Sequence, residues 1–482
     1  MQKLLLILPI LIPLLGGLPV FAMEQRVPRR RYMLGLLLVT LLTVCLMPWE
    51  QQTLEVLSMT ASARILLRAD GMGRLFAVLV SGIWLLVGIY GDEYMTHEEK
   101  QPRFFGFYLL SLGALLGVCL SGNMITLYLF YELMTLLTVP LVMHTGTDES
   151  FDAGIKYLGF SVCGAAMSLL GLFYLQQHVT TDLFVAGGTL SNVWSKGLEW
   201  SLLLMLVGFG AKAGMVPLFA WLPSAHPVAP SPASAVLSGL ITKMGVLAII
   251  RVVFYQFGVD FVSASWVRDV VLVLAIYTVF MGSMLAFKEK TLKKRLAYST
   301  VSQVSYILFG LLLLSPDGVT GALLQLVFHA LAKNGLFLGA GCVVFYLHQT
   351  RTTHLRGAGK QIPWTMGAFA VFSLSLIGVP PLAGFVSKWH LAQGGLLYGT
   401  LGLVGMAVLM VSALLTAGYL LPIVTDSFFV GADFDYNAAP QRKESIRMLI
   451  PMGVFAVGLL ILGLFPHLLD GALAPILAEL FG

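Results

Sequence analysis

The sequence predicts an all-α integral membrane protein of about fourteen transmembrane helices. Three observations predict it. Apolar and aromatic residues make up 58% of the 482 residues and charged residues only 11%, against roughly 25% charged in soluble domains. The apolar residues gather in runs of about 20, the length that crosses a bilayer as a helix. The 50 glycines suit the close approach of membrane helices. A soluble fold of this size would need far more polar residues to cover its surface, so residues 1–482 read as a single polytopic membrane domain.

In chain order the runs fall at roughly 3–22, 32–49, 73–94, 104–121, 123–143, 154–176, 198–222, 230–254, 269–287, 297–315, 318–347, 363–394, 402–425 and 448–467. The first, Leu4 to Ala22 after Lys3, resembles a signal peptide in outline. Its length, and the arginines at 26, 29, 30 and 31 behind it, suit a retained span instead. The run 318–347 is long enough to tilt. The run 363–394 contains Gly378, Pro380, Pro381 and Gly384 and reads as a helix broken near its middle. Asp426 to Arg447 is the most polar stretch and reads as a solvated connector.

Lysine and arginine set the orientation. With the N-terminus outside, the cytoplasmic loops hold eighteen of them, chiefly at Arg26–Arg31, Lys288–Arg295, Arg351–Lys360 and Arg442–Arg447. The outer side holds six: Lys3, Arg64, Arg68, Arg74, Lys196 and Arg268, with Arg251 at an outer helix end. That asymmetry places both termini outside the cell membrane. The net charge of +5 is therefore loop charge and not a nucleic-acid surface. Cys45, Cys119, Cys163 and Cys342 lie singly in apolar runs and read as buried small hydrophobes. No iron–sulfur, zinc or nucleotide-phosphate motif occurs, so no cofactor is expected and any redox chemistry would belong to another subunit.

Four lysines remain inside the spans: Lys212, Lys243, Lys333 and Lys388. The first three fall near span centres, as does one acid, Glu132. A charge at the bilayer centre costs at least about 2.5–3.5 kcal/mol. The bland reading is a set of structural pairs, but one acid cannot neutralise four lysines. Burial and like-charge neighbours disfavour a protonated lysine, and a lysine poised that way takes up and releases protons. Lys212 sits in Gly208-Phe209-Gly210-Ala211-Lys212-Ala213-Gly214, ahead of Pro217, and Lys388 follows Gly378–Gly384. Both lie near expected helix breaks, which free carbonyls for an ion; a packing kink is the plainer alternative.

His329 and Lys333, four residues apart, share a helix face about 6 Å apart along the axis, which suits a proton relay. Two readings fit His226, within the proline-rich Leu222–Pro232: a candidate gate feeding the path, or an interfacial loop residue. The remaining histidines, His390 the least clear among them, read as loop or interface residues.

These segments resemble the antiporter-like membrane subunit family: the proton-pumping subunits of complex I (the NADH dehydrogenase family), the A and D subunits of Mrp-type sodium/proton antiporters, and membrane-bound hydrogenase counterparts. The resemblance rests on Tyr131-Glu132-Leu133, Ala211–Pro217, Trp221–Ala235, Leu237-Ser238-Gly239 with Lys243, His329–Lys333 and Gly378–Lys388. It implies two inverted five-helix repeats, residues 104–254 and 269–425, with broken seventh and twelfth helices. It also implies roles: Glu132 and Lys212 as a modulating pair, Lys243 as central relay, His329 and Lys333 extending the axis, and Lys388 as the final site. Some members carry glutamate at the Lys388 position, and some carry a second histidine where this chain has Gln325. The chain's end at Gly482 leaves no room for the long lateral helix of the largest relatives, which points to a D-like subunit.

The expected function is translocation of protons, or exchange of cations such as sodium for protons, beside other membrane subunits of an Mrp, hydrogenase or complex I-like assembly. The alternatives are a self-sufficient cation/proton antiporter, or a non-redox quinone-site or scaffold subunit of an oxidoreductase. An axial row of polar residues with excess lysines speaks against the last two.

Overall fold

The computed structural model describes residues 4–47, 52–60, 63–191, 194–431 and 440–481. Lys3, the last residues of the second expected run and the middle of the polar connector lie outside the described residues. Leaving aside short turns of helix at Val259–Ala264 and Ala358–Gln361, the helices in chain order are α1 (Leu4–Gly17), α2 (Arg26–Cys45), α3 (Gly71–Tyr94), α4 (Gln101–Cys119), α5 (Met124–Val142), α6 (Asp148–Leu175), α7 (Lys196–Ala213) and α8 (Leu222–Val228). They continue with α9 (Ser231–Phe257), α10 (Trp266–Lys288), α11 (Leu292–Leu312), α12 (Pro316–Leu347), α13 (Pro363–Ile377), α14 (Ala383–Leu397), α15 (Thr400–Phe428), α16 (Ile446–Leu464) and α17 (Asp470–Phe481).

Among the described residues, ten helices are long and apolar enough to cross a membrane, and the chain is a mostly helical protein that spans the bilayer several times. Helices prevail because lipid offers backbone groups no partner, so each segment must satisfy its own. Their starts are fixed by side-chain caps: Asp70 accepts from Gly73 N at 2.8 Å, Asn123 from Thr126 N at 2.8 Å and Ser315 from Gly318 N at 3.2 Å. The bundle is apolar outward. Leu397, Leu414 and Trp364 are more than 70% exposed, while lysines, serines and threonines are buried. Cys45 and Cys163 belong to this outer face and are exposed, unlike buried Cys119 and Cys342. This corrects the expectation that all four are buried: in lipid, an apolar side chain needs no protein cover.

Two elements do not follow the expected runs. β1 (Gln52–Thr60) and β2 (Ala63–Ala69) form an antiparallel hairpin, with Leu54 opposite Leu67, in a stretch expected to be an outer loop. Arg64 pins it to Asp182 at 2.6 Å, and Arg68 donates to the Phe184 carbonyl at 2.6 Å. After α16 the chain adds α17, whose Leu473, Ile476 and Leu480 are buried.

Arg251, expected at an outer helix end, does lie near the end of α9 but faces inward. It is fully buried and donates to both carboxylate oxygens of Asp70, at 2.5 and 2.8 Å. The Phe184 and Tyr255 rings flank the guanidinium at 4.8 and 4.5 Å. The pair ties the start of α3 to the end of α9. At the other end of α3, Arg26 binds Asp92 and Glu93 at 3.0 and 2.8 Å, and Arg447 reaches Glu93 at 3.3 Å.

Candidate ion-translocation site

The expected run 198–222 holds one helix, α7, followed by an irregular stretch that leads into α8. α7 ends at Ala213 because Gly214 adopts φ +80°, a left-handed conformation costly for any residue with a Cβ. Met215 N then closes back on Gly210 O at 2.9 Å, and Trp221 Nε1 takes the freed Ala211 carbonyl at 2.8 Å. Lys212 therefore stands in the last turn of a half-helix, where the backbone dipole favours a cation, and not mid-helix. Its ammonium donates to Thr135 Oγ1 at 2.8 Å, Ser161 Oγ at 2.9 Å and Tyr157 OH at 3.1 Å. Three hydroxyls use all three N–H donors. The Tyr157 and Tyr131 rings lie 4.5 and 5.6 Å from Nζ.

Glu132 lies three residues before Thr135 on α5. It is close enough for its charge to act on Lys212, but the two make no ion-pair contact, and its Oε1 is buried without a hydrogen-bond partner. The expected pair is thus an interaction across a gap.

The central group stands where α9 changes winding. Leu237–Ile241 is a π-helical stretch, and its wider turn leaves the Ser238 carbonyl open to side chains. That oxygen accepts from Thr242 Oγ1 at 2.7 Å and from Lys243 Nζ at 2.7 Å. Lys243 Nζ also meets His329 Nδ1 at 2.7 Å. An ammonium donates to Nδ1 and leaves the imidazole proton on Nε2; a neutral lysine accepts from Nδ1–H. One geometry thus serves both protonation states. His329 Nε2 is buried and unpartnered. The ring lines a cavity of about 10 Å³ shared with Gln325, Ser375, Leu376 and Gly384, room for the centre of about one water.

Lys333 shares the His329 side of α12 but reaches a different neighbour. Its ammonium donates to Leu296 O at 2.8 Å and to Ser299 Oγ on α11. α9 meets α7 at Gly245, where an added Cβ would stand 2.7 Å from Phe209 O and 3.2 Å from the Lys212 carbonyl carbon. Contact that close requires glycine and brings the Lys212 and Lys243 helices together. Among the described residues no hydrogen bond joins the two lysines.

The second break repeats the first. α13 ends at Ile377 with Gly378 at φ +96°, and α14 resumes at Ala383. Lys388 reaches back across it and donates to the Leu376 and Ile377 carbonyls, both at 2.6 Å, oxygens left free by the helix end. Gln325 links this region to the centre. It accepts from Ser387 Oγ at 2.6 Å and donates to Gln303 Oε1 at 2.9 Å.

His226 lies in α8, fully buried, stacked on Phe337 at 4.7 Å, with neither ring nitrogen partnered. That excludes the interfacial-loop reading. His144, expected as a loop or interface residue, lies in the turn after α5 but is buried, and its Nε2 meets Glu99 O at 3.0 Å. Sequence reasoning also missed Lys293. Counted as loop charge, it is 9% exposed and donates to Ala229 O at 2.9 Å. It missed the Thr135/Tyr157/Ser161 cradle as well; polar residues at helical spacing, Tyr157 and Ser161 being four apart, were the available signal.

The sequence matches the family described as "NADH:quinone oxidoreductase/Mrp antiporter, TM" over residues 121–416. Residues 57–105 match "NADH-Ubiquinone oxidoreductase (complex I), chain 5 N-terminus". The chain belongs to the NADH:quinone oxidoreductase/Mrp antiporter membrane family. It is 33% identical over 407 residues to NADH-quinone oxidoreductase subunit N of Desulforudis audaxviator (strain MP104C), covering 80% of this chain and 79% of that protein. It is 28% identical over 469 residues to a Na(+)/H(+) antiporter subunit of Bacillus subtilis (strain 168), covering 95% and 93%. The fold matches a chain of the Mrp complex from Dietzia sp. DQ12-45-1b with a TM-score of 0.88 at 23% identity, covering 100% of this chain and 97% of that one. A chain of respiratory complex I from Thermus thermophilus matches with a TM-score of 0.84 at 20% identity, covering 99% and 100%.

Proposed function

We propose that this chain is the antiporter-like subunit of a multi-subunit membrane assembly and moves protons, or exchanges cations for protons, along Glu132, Lys212, Lys243, His329, Lys333 and Lys388. The observation that carries the reading is the Lys243–His329 contact at 2.7 Å, which accepts a proton on either partner. Its role is transport, and redox chemistry, where the assembly performs any, belongs to partner subunits. Relatives named as subunits of Na(+)/H(+) antiporters and NADH-quinone oxidoreductases support this.

The architecture belongs to the same proposal. Counting α7 with α8 and α13 with α14 as broken spans, α1 to α16 make fourteen crossings of the cell membrane. Residues 104–254 and 269–425 form inverted repeats. Matching breaks at Gly214 and Gly378 support the repeat, and the loop charges support an outside N-terminus. Single cysteines placed at 288–295 or 351–360 on a cysteine-free background should escape an impermeant maleimide in intact cells, and cysteines at 260–269 should react. Labelling of the first two sets would reverse the orientation.

The pairing of Glu132 with Lys212 is tested by Glu132→Gln. No ion-pair contact is lost, so incorporation into the assembly should be retained. Lys212 would keep three neutral hydroxyls but lose the opposing charge of Glu132. Proton flux in vesicles holding the whole assembly should fall by roughly tenfold or more, the effect of about 1.4 kcal/mol. Near-normal flux would remove Glu132 from the path.

A further inference from the structure

α10 ends at Lys288, and the chain turns through residues 289–291 into α11. Backbone bonds tie this turn to the segment after α12. Leu292 N donates to Thr350 O at 2.8 Å and Thr352 N to Lys290 O at 2.9 Å, and Thr291 pairs with Arg351 in an isolated antiparallel bridge. Two cation-bearing connections are thereby held side by side. A cleft of about 330 Å³ opens there, lined by Leu285, Lys288, Glu289, Lys290, Tyr298 and Arg351 together with Thr291.

Glu289 is the one acid in that lining, and it is already engaged. Its Oε1 accepts from Lys290 N and Thr291 N, both at 2.9 Å, and its Oε2 meets Lys294 at 3.3 Å. Lys288, Lys290 and Arg351 are exposed, and among the described residues their side chains make no hydrogen bond or ion pair. Three cations gathered without an acid to balance them repel one another, a cost that a bound anion removes. Toward the bilayer the outer face of α10 is apolar. Exposed Tyr277 and Phe280 and half-buried Met284 lead to Lys288 in steps of three and four residues. The cations thus stand at the end of an apolar stripe, where the span leaves the lipid.

We propose that this cleft binds the head group of an anionic phospholipid, with its phosphate against Lys288, Lys290 and Arg351 and an acyl chain along the α10 stripe. Basic pockets between spans take such head groups. The guanidinium offers a phosphate two parallel donors, and the Tyr298 hydroxyl can add another. A free anion would use the cations but not the stripe. The bound lipid would clamp the α10–α11 turn to the segment after α12.

The test uses the complete assembly in phosphatidylcholine nanodiscs doped with a diazirine-bearing phosphatidylglycerol, with cross-linked peptides mapped by mass spectrometry. Cross-links should concentrate on α10 and the start of α11, and a diazirine-bearing phosphatidylcholine should give far fewer there. Lys290→Gln combined with Arg351→Gln should lower them by roughly 20-fold, about fivefold for each cation lost. These side chains hold no other residue, so incorporation should be unchanged. Lys156→Gln, which removes an exposed charge elsewhere, should have no effect. Equal labelling by the two lipids would mean ordinary boundary lipid and would overturn the site, as would unchanged labelling in the double variant. Displacement by inorganic phosphate in excess would assign the cleft to a free anion instead. No cross-link there in the unmodified assembly would give the cleft to a partner's acidic segment and equally overturn the proposal.

Discussion

Lys333→Ala is expected to abolish most proton flux while the subunit still assembles. Lys333 is fully buried on α12, and its ammonium is held by Leu296 O and Ser299 Oγ. Deleting it leaves no orphaned acceptor. Leu296 O keeps Ser299 Oγ at 2.9 Å and Thr300 Oγ1 at 3.0 Å, so folding should be little affected. What disappears is a resident site for charge near the middle of a span. A charge crossing that region unaided meets a barrier higher by about 2.5–3.5 kcal/mol, which slows passage by roughly 100-fold. The measurement is dye-reported acidification in vesicles containing the whole assembly, with incorporation checked by subunit ratio. Flux within a fewfold of the unmodified assembly would place Lys333 outside the route.

Asp70→Ala carries the largest expected loss of stability. Arg251 is fully buried, and both of its bonds to the Asp70 carboxylate lie at the end of α9 where α3 begins. Removing the acid leaves a buried cation without the carboxylate that holds it, which costs about 3–5 kcal/mol. The same carboxylate caps α3 through Gly73 N, adding about 1 kcal/mol. Denaturation of the purified protein in detergent should show the full loss for Asp70→Ala. Asp70→Asn, which can retain the cap and one acceptor oxygen, should lose less. Equal stability for both variants would mean that the cation finds another partner.

Legibility followed the physics of each signal. Apolar runs revealed the spans because lipid demands a continuous apolar stretch. Lys212, Lys243, Lys333 and Lys388 stood out because a charge there is expensive. Gly214 and Gly378 marked the breaks because few other residues tolerate a positive φ. Contacts between distant segments left no such mark. Arg251 and Asp70 are far apart in sequence, and nothing in the spacing of either announces the other. Lys293 looked like loop charge because hydropathy cannot distinguish a lysine facing water from one folded inward against a carbonyl. The hairpin was obscured by Arg64 and Arg68, although Thr53 to Thr60 mixes β-branched, apolar and polar residues much as a strand does. The Glu132–Lys212 relation was anticipated as a pair, but three hydroxyls from α5 and α6 hold the ammonium.

The central claim is that a buried lysine changes its protonation during transport, and Lys243→Arg tests it most directly. Lys243 is fully buried, held by Ser238 O and His329 Nδ1, both at 2.7 Å. Arginine can donate to the same two acceptors, so the charge and its partners are retained. It cannot release its proton at ordinary pH. Proton flux is measured in vesicles holding the complete assembly, beside an immunoblot for incorporation. Normal incorporation with flux reduced to that of Lys243→Ala is the expected result; substantial flux with arginine would show that Lys243 supplies only fixed charge and would contradict the relay.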